Sequence, residues 1–338
     1  MSDTLRGDPV VRVAHAKLNL TLAVLGRRAD GYHALHSVMV PVELADRLSL
    51  AATSAGGDTL HVDGADCGPA VDNLVLRAIA AARAEARTEL GPSVALGPLA
   101  CRLDKRIPVA AGLAGGSSDA AAAIDGALAA WGIDLPAGAR QRAAASVGSD
   151  VPFFLAGGWA VVEGRGEVVR PVPSVRGSAP VALLVTPAVP VGTPAVFAAW
   201  TAGLRPSGHG AALATSRHLA DELLAGMAAR ALVVRAGILA HANDLMPASG
   251  HVVPGLVALR RGMIRALGTA VGQSGSGPTL WVLYPSLEDA SAAADAVRDA
   301  LADGRIVAPG DGPPAVHVAP LVLDRPAIVP TGSNGSDT

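Results

Sequence analysis

The sequence predicts a fold that mixes helices and strands in two domains, and three observations point there. At 338 residues the chain has room for one large domain or two ordinary ones. Short runs of alternating apolar residues, the period of a half-buried strand, are interspersed with alanine-rich runs suited to helices. Between Pro171 and Ser178 the composition turns to Pro, Ser and Gly. A boundary there divides the chain into 1–175 and 176–325. From about 326 the chain is short of apolar residues and reads as a disordered tail, 326–338.

The first unit opens with Val10 to Val24, a strand by the spacing of Val11, Val13, Leu18, Leu20, Leu22 and Val24. Lys17 and Asn19 stand two apart in it, so they share one face. Asp30-Gly31 marks a turn, and His36 to Leu50 returns as a strand. Asp72 suits the cap of an alanine-rich helix from Asn73 to about Glu89. Val94 to Ile107 reads as a strand, and Ser118 to Trp131 and Pro136 to Ser146 as helices. Ser149 and Asp150, just before Pro152, suit a helix start, where Asp150 could serve simply as a cap. Val161 to Val172 reads as strand–turn–strand. Beyond the boundary, strands are expected at Ala182 to Thr186, Leu280 to Tyr284 and Ala315 to Leu323. Helices are expected at His218 to Met227, His251 to Leu267 and Leu287 to Leu301. Leu204 to Ser216 is polar and glycine-bearing, and is expected to be a mobile loop.

Composition excludes several classes. Apolar residues are 50% of the chain and charged residues 17%, with a formal net charge of −2, so there is no basic surplus for nucleic acid. The first residues lack the apolar core of a signal peptide, and Val181 to Val191 is cut by Pro187 and Pro190 before it could span a bilayer. Cys67 and Cys101 make neither a metal spacing nor a disulfide framework. The expectation is a cytoplasmic protein that binds neither membrane nor nucleic acid. Of 27 basic residues only Lys17 and Lys105 are lysines. Lysine and arginine are not interchangeable where a compact point charge is needed, which singles out Lys17.

The centre of the sequence is the run Pro108, Val109, Ala110, Ala111, Gly112, Leu113, Ala114, Gly115, Gly116, Ser117 and Ser118, between a strand and a helix. Its glycines let the backbone turn sharply and approach a ligand. Ser117, Ser118 and Asp119 suit a helix N-terminus, where free N–H groups and the helix dipole attract phosphate. No lysine follows the glycines, so this is not the common P-loop, and Gly-x-Gly-x-x-Gly is absent. By itself the run could still be a turn that packs a helix on a sheet.

The run resembles the Pro-x-x-x-Gly-Leu-x-Gly-Gly-Ser-Ser phosphate loop of the galactokinase, homoserine, mevalonate and phosphomevalonate kinase (GHMP) superfamily. The resemblance implies that residues 108–118 wrap the phosphates of ATP, with the Ser118 hydroxyl near Mg²⁺. Ala16-Lys17-Leu18-Asn19-Leu20 and Arg28-Ala29-Asp30-Gly31-Tyr32-His33 resemble one family within it, the 4-diphosphocytidyl-2-C-methyl-D-erythritol kinases of the non-mevalonate isoprenoid pathway. That resemblance implies a catalytic Lys17, and substrate contacts from Asn19, Tyr32 and His33, with Tyr32 stacked on cytosine and His33 hydrogen-bonded to it. Gly148-Ser149-Asp150-Val151-Pro152-Phe153 is similar to the segment holding the catalytic aspartate, here Asp150. Thr193 to Phe197 is similar to the segment that supplies a second aromatic against the base, here Phe197. Asp72-Asn73-Leu74 is similar to the segment beside adenine, which implies Asn73 as a nucleotide contact. Ser274 to Thr279 resembles a third glycine loop. Asn243-Asp244-Leu245 matches too, although Met246 stands where a Glu is usual.

The implied architecture is α+β, with a ribosomal-protein-S5-like N-terminal domain, a ferredoxin-like C-terminal domain and the active site between them. The implied activity is transfer of phosphate from ATP to the C2 hydroxyl of a cytidine-diphosphate conjugate, with Asp150 as base and Lys17 neutralising charge. The implied partners are these small molecules, in a monomer or homodimer. Three alternatives stand beside this reading: a sister kinase acting on mevalonate, homoserine or a sugar; a non-catalytic nucleotide-binding protein; and a plain β-α-β domain. The aromatic set favours cytosine over the first, and the presence of both Lys17 and Asp150 favours catalysis over the second.

Overall fold

The structure, a computed structural model, describes residues 5–54, 56–206 and 210–323. The expected tail, 326–338, and positions 207–209 of the expected mobile loop lie outside the described residues.

One long strand organises the first half. Strand β1 (Leu5–Asn19) and β2 (Ala23–Arg27) both pair antiparallel with β3 (His33–Thr53). Next in sequence are β4 (Thr59–Gly64), α1 (Leu74–Leu90), β5 (Leu99–Lys105), α2 (Gly115–Trp131), α3 (Ala137–Val147), α4 (Val151–Ala156), β6 (Ala160–Gly164) and β7 (Val168–Pro171). The sheet runs β4-β5-β3-β6-β7, with β1 and β2 also on β3. Strand β3 can serve all these partners because it is 21 residues long and uses both edges: β1 and β2 pair along one, β5 and β6 along the other. Its apolar residues Leu48 and Leu50 meet Ile79 of α1, Leu103 of β5 and Ile124 of α2 in one buried cluster. The alanine-rich α2 is buried along most of its length, which suits a helix whose small side chains let it lie close to the sheet.

The second half builds a smaller sheet, β11-β8-β10-β9, from β8 (Val181–Thr186), β9 (Gly272–Gln273), β10 (Leu280–Tyr284) and β11 (Ala315–Pro320). Its helices are α5 (Thr193–Thr201), α6 (Ala211–Leu224), α7 (Ala229–Leu239), α8 (Met246–Val252), α9 (Leu256–Leu267) and α10 (Leu287–Ala302). Apolar clusters join the two sheets: one holds Leu18 and Val40 of the first with Leu184 and Trp281 of the second and with Leu223 and Leu232 of α6 and α7, and another holds Val24 of β2 with Leu183 and Val282.

Several expected elements differ in the structure. Strand β5 begins only at Leu99, after Gly97-Pro98, because proline supplies no N–H and restrains the residue before it. The helix expected from His251 to Leu267 is two helices, α8 and α9, broken at Pro254-Gly255. Helix α6 starts at Ala211, so it takes up much of the stretch expected to be a mobile loop, and α7 was not foreseen. Asn73, not Asp72, caps α1: its Oδ1 accepts from Val75 N at 3.0 Å, while Asp72 closes a 3-10 turn.

Candidate active site

A cavity of about 410 Å³ opens where the loop between β5 and α2 meets β1, α5 and the segment before β10. Its wall includes Lys17, Asn19, Asn73, Asp150 and Phe197, together with Pro108 to Gly112 and Ala114 to Ser117. These residues come from five separate stretches of sequence.

The loop is held by its carbonyls. Ala110 O accepts from Val191 N at 3.3 Å, Ala111 O from Thr279 N at 3.2 Å, and Leu113 O from Lys17 N at 3.1 Å. Gly112 O accepts from Lys17 Nζ at 2.6 Å and from Ser274 Oγ at 3.0 Å. These ties spend four successive carbonyls on other segments and use none of the loop's own N–H groups. Ala110 and Ala114 take left-handed φ values of 53° and 54°, the only non-glycine residues with positive φ among those described. Such conformations are strained for alanine and cluster at functional sites. At Gly112 a side chain would collide with the neighbouring loop, since a Cβ would lie 2.5 Å from Ser274 O.

Helix α2 begins at Gly115 with Ala114 as an uncapped N-cap, rather than at Ser118. Ser118 N already bonds to Ala114 O at 3.0 Å, and its side chain is buried. Of the two serines, Ser117 is on the cavity wall, while Ser118, the expected metal contact, is buried behind it. Leu113 is also buried in the core, so only its backbone serves the loop. The N–H groups of the first turn, at Gly115 to Ser117, face no earlier helical turn and are free for an anion.

Lys17 is buried, and its Nζ donates to Asn19 Oδ1 at 2.7 Å as well as to Gly112 O. Burial pushes its pKa below the ordinary value, and the nearby charge of Asp150 opposes that. Asp150 occupies the N-cap position of α4 but makes no capping bond, so local capping does not explain its side chain. Lys17 and Asp150 line the same cavity without forming a direct ion pair.

The other lysine was passed over by sequence reasoning and lines the same cavity. Lys105, at the end of β5, is buried beneath Gly115, where an added Cβ would lie 2.8 Å from its Nζ. It is bonded to Asp46 and, at 2.8 Å, to Asp119 Oδ2. Asp46 also accepts from Arg106 N at 2.6 Å and Ile107 N at 2.8 Å, which anchors the start of the loop. Two buried carboxylates face one ammonium. Burial therefore pushes the Asp119 carboxyl up to about 7, despite the pull of Lys105. Its Oδ1 has no hydrogen-bond partner among the described residues. The scarcity of lysine was the one signal in the sequence that could have flagged this group.

The aromatic residues gather at the other end. Phe197 is on the cavity wall and stacks on His33 at 4.9 Å, with 21° between the rings. His33 Nε2 also meets Thr201 Oγ1 at 2.9 Å. Burial and the charges of Arg27 and Arg205 lower its pKa. Tyr32 is 50% exposed with the Arg165 guanidinium over its ring at 5.1 Å. Neither Tyr32 nor His33 forms part of the wall; His33 stacks directly on Phe197, and Tyr32 has no ring contact with Phe197 among the described residues.

Known proteins share both sequence and fold with this chain. The family descriptions "GHMP kinases N terminal domain" and "GHMP kinases C terminal" match residues 73–158 and 228–303. A 4-diphosphocytidyl-2-C-methyl-D-erythritol kinase of Pelotomaculum thermopropionicum is 37% identical over 284 residues, which cover 83% of this chain and 91% of the relative. The chain belongs to this kinase family. A second member, from Sinorhizobium medicae, is 34% identical over 299 residues, 87% of this chain and 93% of the relative. The crystal structure of a 4-(cytidine 5'-diphospho)-2C-methyl-D-erythritol kinase superposes with a TM-score of 0.61 at 30% identity, covering 92% of this chain and 99% of that one. The mevalonate kinase of Methanococcus jannaschii, 12% identical with a TM-score of 0.61, covers 94% of this chain and 99% of its own and shares the fold. The chain is thus a small-molecule kinase of mixed α+β fold that uses ATP, and no helix among the described residues is long and apolar enough to cross a membrane.

Proposed function

We propose that this kinase transfers the terminal phosphoryl group of ATP to the C2 hydroxyl of 4-diphosphocytidyl-2-C-methyl-D-erythritol, giving the 2-phosphate and ADP on the non-mevalonate route to isopentenyl diphosphate. The observation that carries the reading is one cavity that holds Lys17, Asp150, the first turn of α2 and Phe197 together. The loop and helix N-terminus receive the nucleotide phosphates, with Asn73 on the adenine side. Phe197 and His33 receive the cytosine, and Tyr32 covers its outer side. Asn19 keeps one amide hydrogen for the methylerythritol hydroxyls.

Asp150 then accepts the proton of the C2 hydroxyl. An alcohol is far less acidic than a carboxylic acid, so this transfer comes late, and most of the acceleration comes from positioning and charge stabilisation. Lys17 neutralises charge as it grows on the transferred oxygens. Its two bonds to Asn19 and Gly112 leave one ammonium hydrogen for that task.

The donors present suit Mg²⁺. Among the described residues there is no cluster of three His, Cys, Asp or Glu, and Mg²⁺ bound with phosphates needs only one or two protein oxygens. The Ser117 hydroxyl and the orphaned carboxylate oxygen of Asp119 are the oxygens that would hold it. When bound it neutralises phosphate charge. The enzyme is proposed to be cytoplasmic, a monomer or homodimer, with lobes 1–175 and 176–325 on either side of the site.

A coupled ADP-release assay tests the reading, with the cytidine conjugate, mevalonate and homoserine as rival acceptors. Turnover with the conjugate alone is expected. Asp150→Asn is expected to lower kcat by orders of magnitude while ADP affinity stays within about threefold. Equal turnover of wild type and Asp150→Asn would refute the role of the carboxylate.

A further inference from the structure

A buried hydroxyl behind the cavity bears on the ammonium. Ser37 lies on β3 and is fully buried. Its single hydroxyl proton goes to Thr21 O at 2.6 Å, an atom that can only accept. Asn19 Nδ2 donates to the same Ser37 oxygen at 2.8 Å. With that proton committed, Ser37 can only accept from Asn19, so the amide nitrogen must face Ser37 and the amide oxygen must face Lys17 Nζ. Turning the amide over would set N–H groups against an ammonium and an oxygen against an oxygen. It would lose two hydrogen bonds, one of them to a charge.

The ammonium's other hydrogen-bond partner is backbone. Gly112 O accepts its second hydrogen, and Gly275 packs so close that an added Cβ would lie 3.2 Å from Nζ. The nearby hydroxyl of the Gly275 segment, Ser274 Oγ, is already engaged, donating to Gly112 O and accepting from Asn19 N. Asp150, ahead of α4, is the charged group that acts on it. Lys105 is paired with Asp46 and Asp119.

We propose that Ser37 is a positioning residue of the phosphoryl-transfer site: by orienting the Asn19 amide it keeps an acceptor on Lys17 and aims the remaining ammonium hydrogen into the cavity. The proposal rests on the kinase reading for its consequence in turnover, but not for its effect on Lys17.

The test uses the full chain with Ser37→Ala, and the sequence makes an activity-independent readout available. Only two lysines are present, so labelling lysine at Cε gives two side-chain resonances, and Lys17→Met assigns one of them. Titration of wild type and Ser37→Ala by NMR should show Lys17 losing its proton at lower pH in the variant, because the ammonium has lost a reliable acceptor. In the kinase assay Ser37→Ala should lower kcat about tenfold, leave the KM for ATP within twofold, and move the alkaline fall of kcat to lower pH. In an Asn19→Ala background the same change should alter kcat less than twofold, because Ser37 acts through Asn19. Ser37→Thr, which keeps the hydroxyl, should restore both the Lys17 titration and kcat. A folded Ser37→Ala protein, judged by its thermal midpoint, with the wild-type Lys17 titration would overturn the proposal. So would an undiminished effect in the Asn19→Ala background. Absence of turnover in the wild type would instead count against the kinase reading, and the NMR comparison would still decide the role of Ser37.

Discussion

Lys105→Met removes the ammonium between Asp46 and Asp119 while keeping an unbranched stem of similar volume. Asp46 keeps its two backbone donors, Arg106 N and Ile107 N, but Asp119 loses the cation bonded to its Oδ2, and its Oδ1 has no partner among the described residues. Breaking a buried ion pair by deleting one member costs roughly 3–5 kcal/mol, because a charge is left uncompensated. The loss should depend on pH, and the sign follows from the carboxyl. In the folded protein the pKa of Asp119 is raised from 3.8 to about 7, a difference worth about 4 kcal/mol. Between those values the folded state binds more protons than the unfolded state, so stability falls as pH rises through that window. Without Lys105 the pKa moves further up, and the gap between variant and wild type should widen from acid to alkaline pH. Urea unfolding at about pH 5.5 and about pH 8 reads this directly, with roughly 1–2 kcal/mol expected at the lower pH and 3–5 at the higher. Adding Asp119→Asn to Lys105→Met should recover part of the loss at the higher pH. Equal losses at the two pH values, or a loss below about 1 kcal/mol at both, would refute the reasoning.

Three further outcomes follow from the same geometry. Ala114→Gly relieves a left-handed alanine and should raise the unfolding free energy by up to about 1 kcal/mol, read by urea titration, with nucleotide binding kept. Gly112→Ala places a Cβ 2.5 Å from Ser274 O and 2.8 Å from Gly277 O at a φ of +76°, so it should destabilise by roughly 1–3 kcal/mol and abolish ADP binding by calorimetry. Phe197→Ala should raise the KM for the cytidine conjugate about tenfold or more, a stacking contribution of roughly 1–3 kcal/mol, and leave the KM for ATP unchanged.

Much of the fold was legible because it is written in local spacing. The alternation of β3, the alanine-rich α2, the strand–turn–strand of β6 and β7 and the glycine-rich turn between β5 and α2 each depend on residues close in sequence. Element ends were harder to place. Serine at 117 and 118 reads as a cap, yet the left-handed turn at Ala114 starts the helix earlier, and that conformation is imposed by the carbonyl ties of the loop. Asp72 and Asn73 are both good caps by type. Only the path of the chain decides which oxygen meets Val75 N. Helix α7 went unforeseen because its apolar stripe is completed by packing against β10 and the inter-sheet core.

By itself the sequence determined the family, the loop and the residue types that chemistry needs, since a motif is a run of neighbours and can be read along the chain. It also showed that Lys17 and Asn19 share a face, because strand geometry is local. Tertiary structure alone decided what those groups touch. Lys17 reaches Gly112, Ser37 lies behind Asn19, and Lys105 is clamped by Asp46 and Asp119, across separations of 95, 18, 59 and 14 residues. Contacts at such separations arise from the packing of β1, β3, β5 and α2 on one another, and spacing along the chain does not encode the direction in which a buried polar group finds its partner.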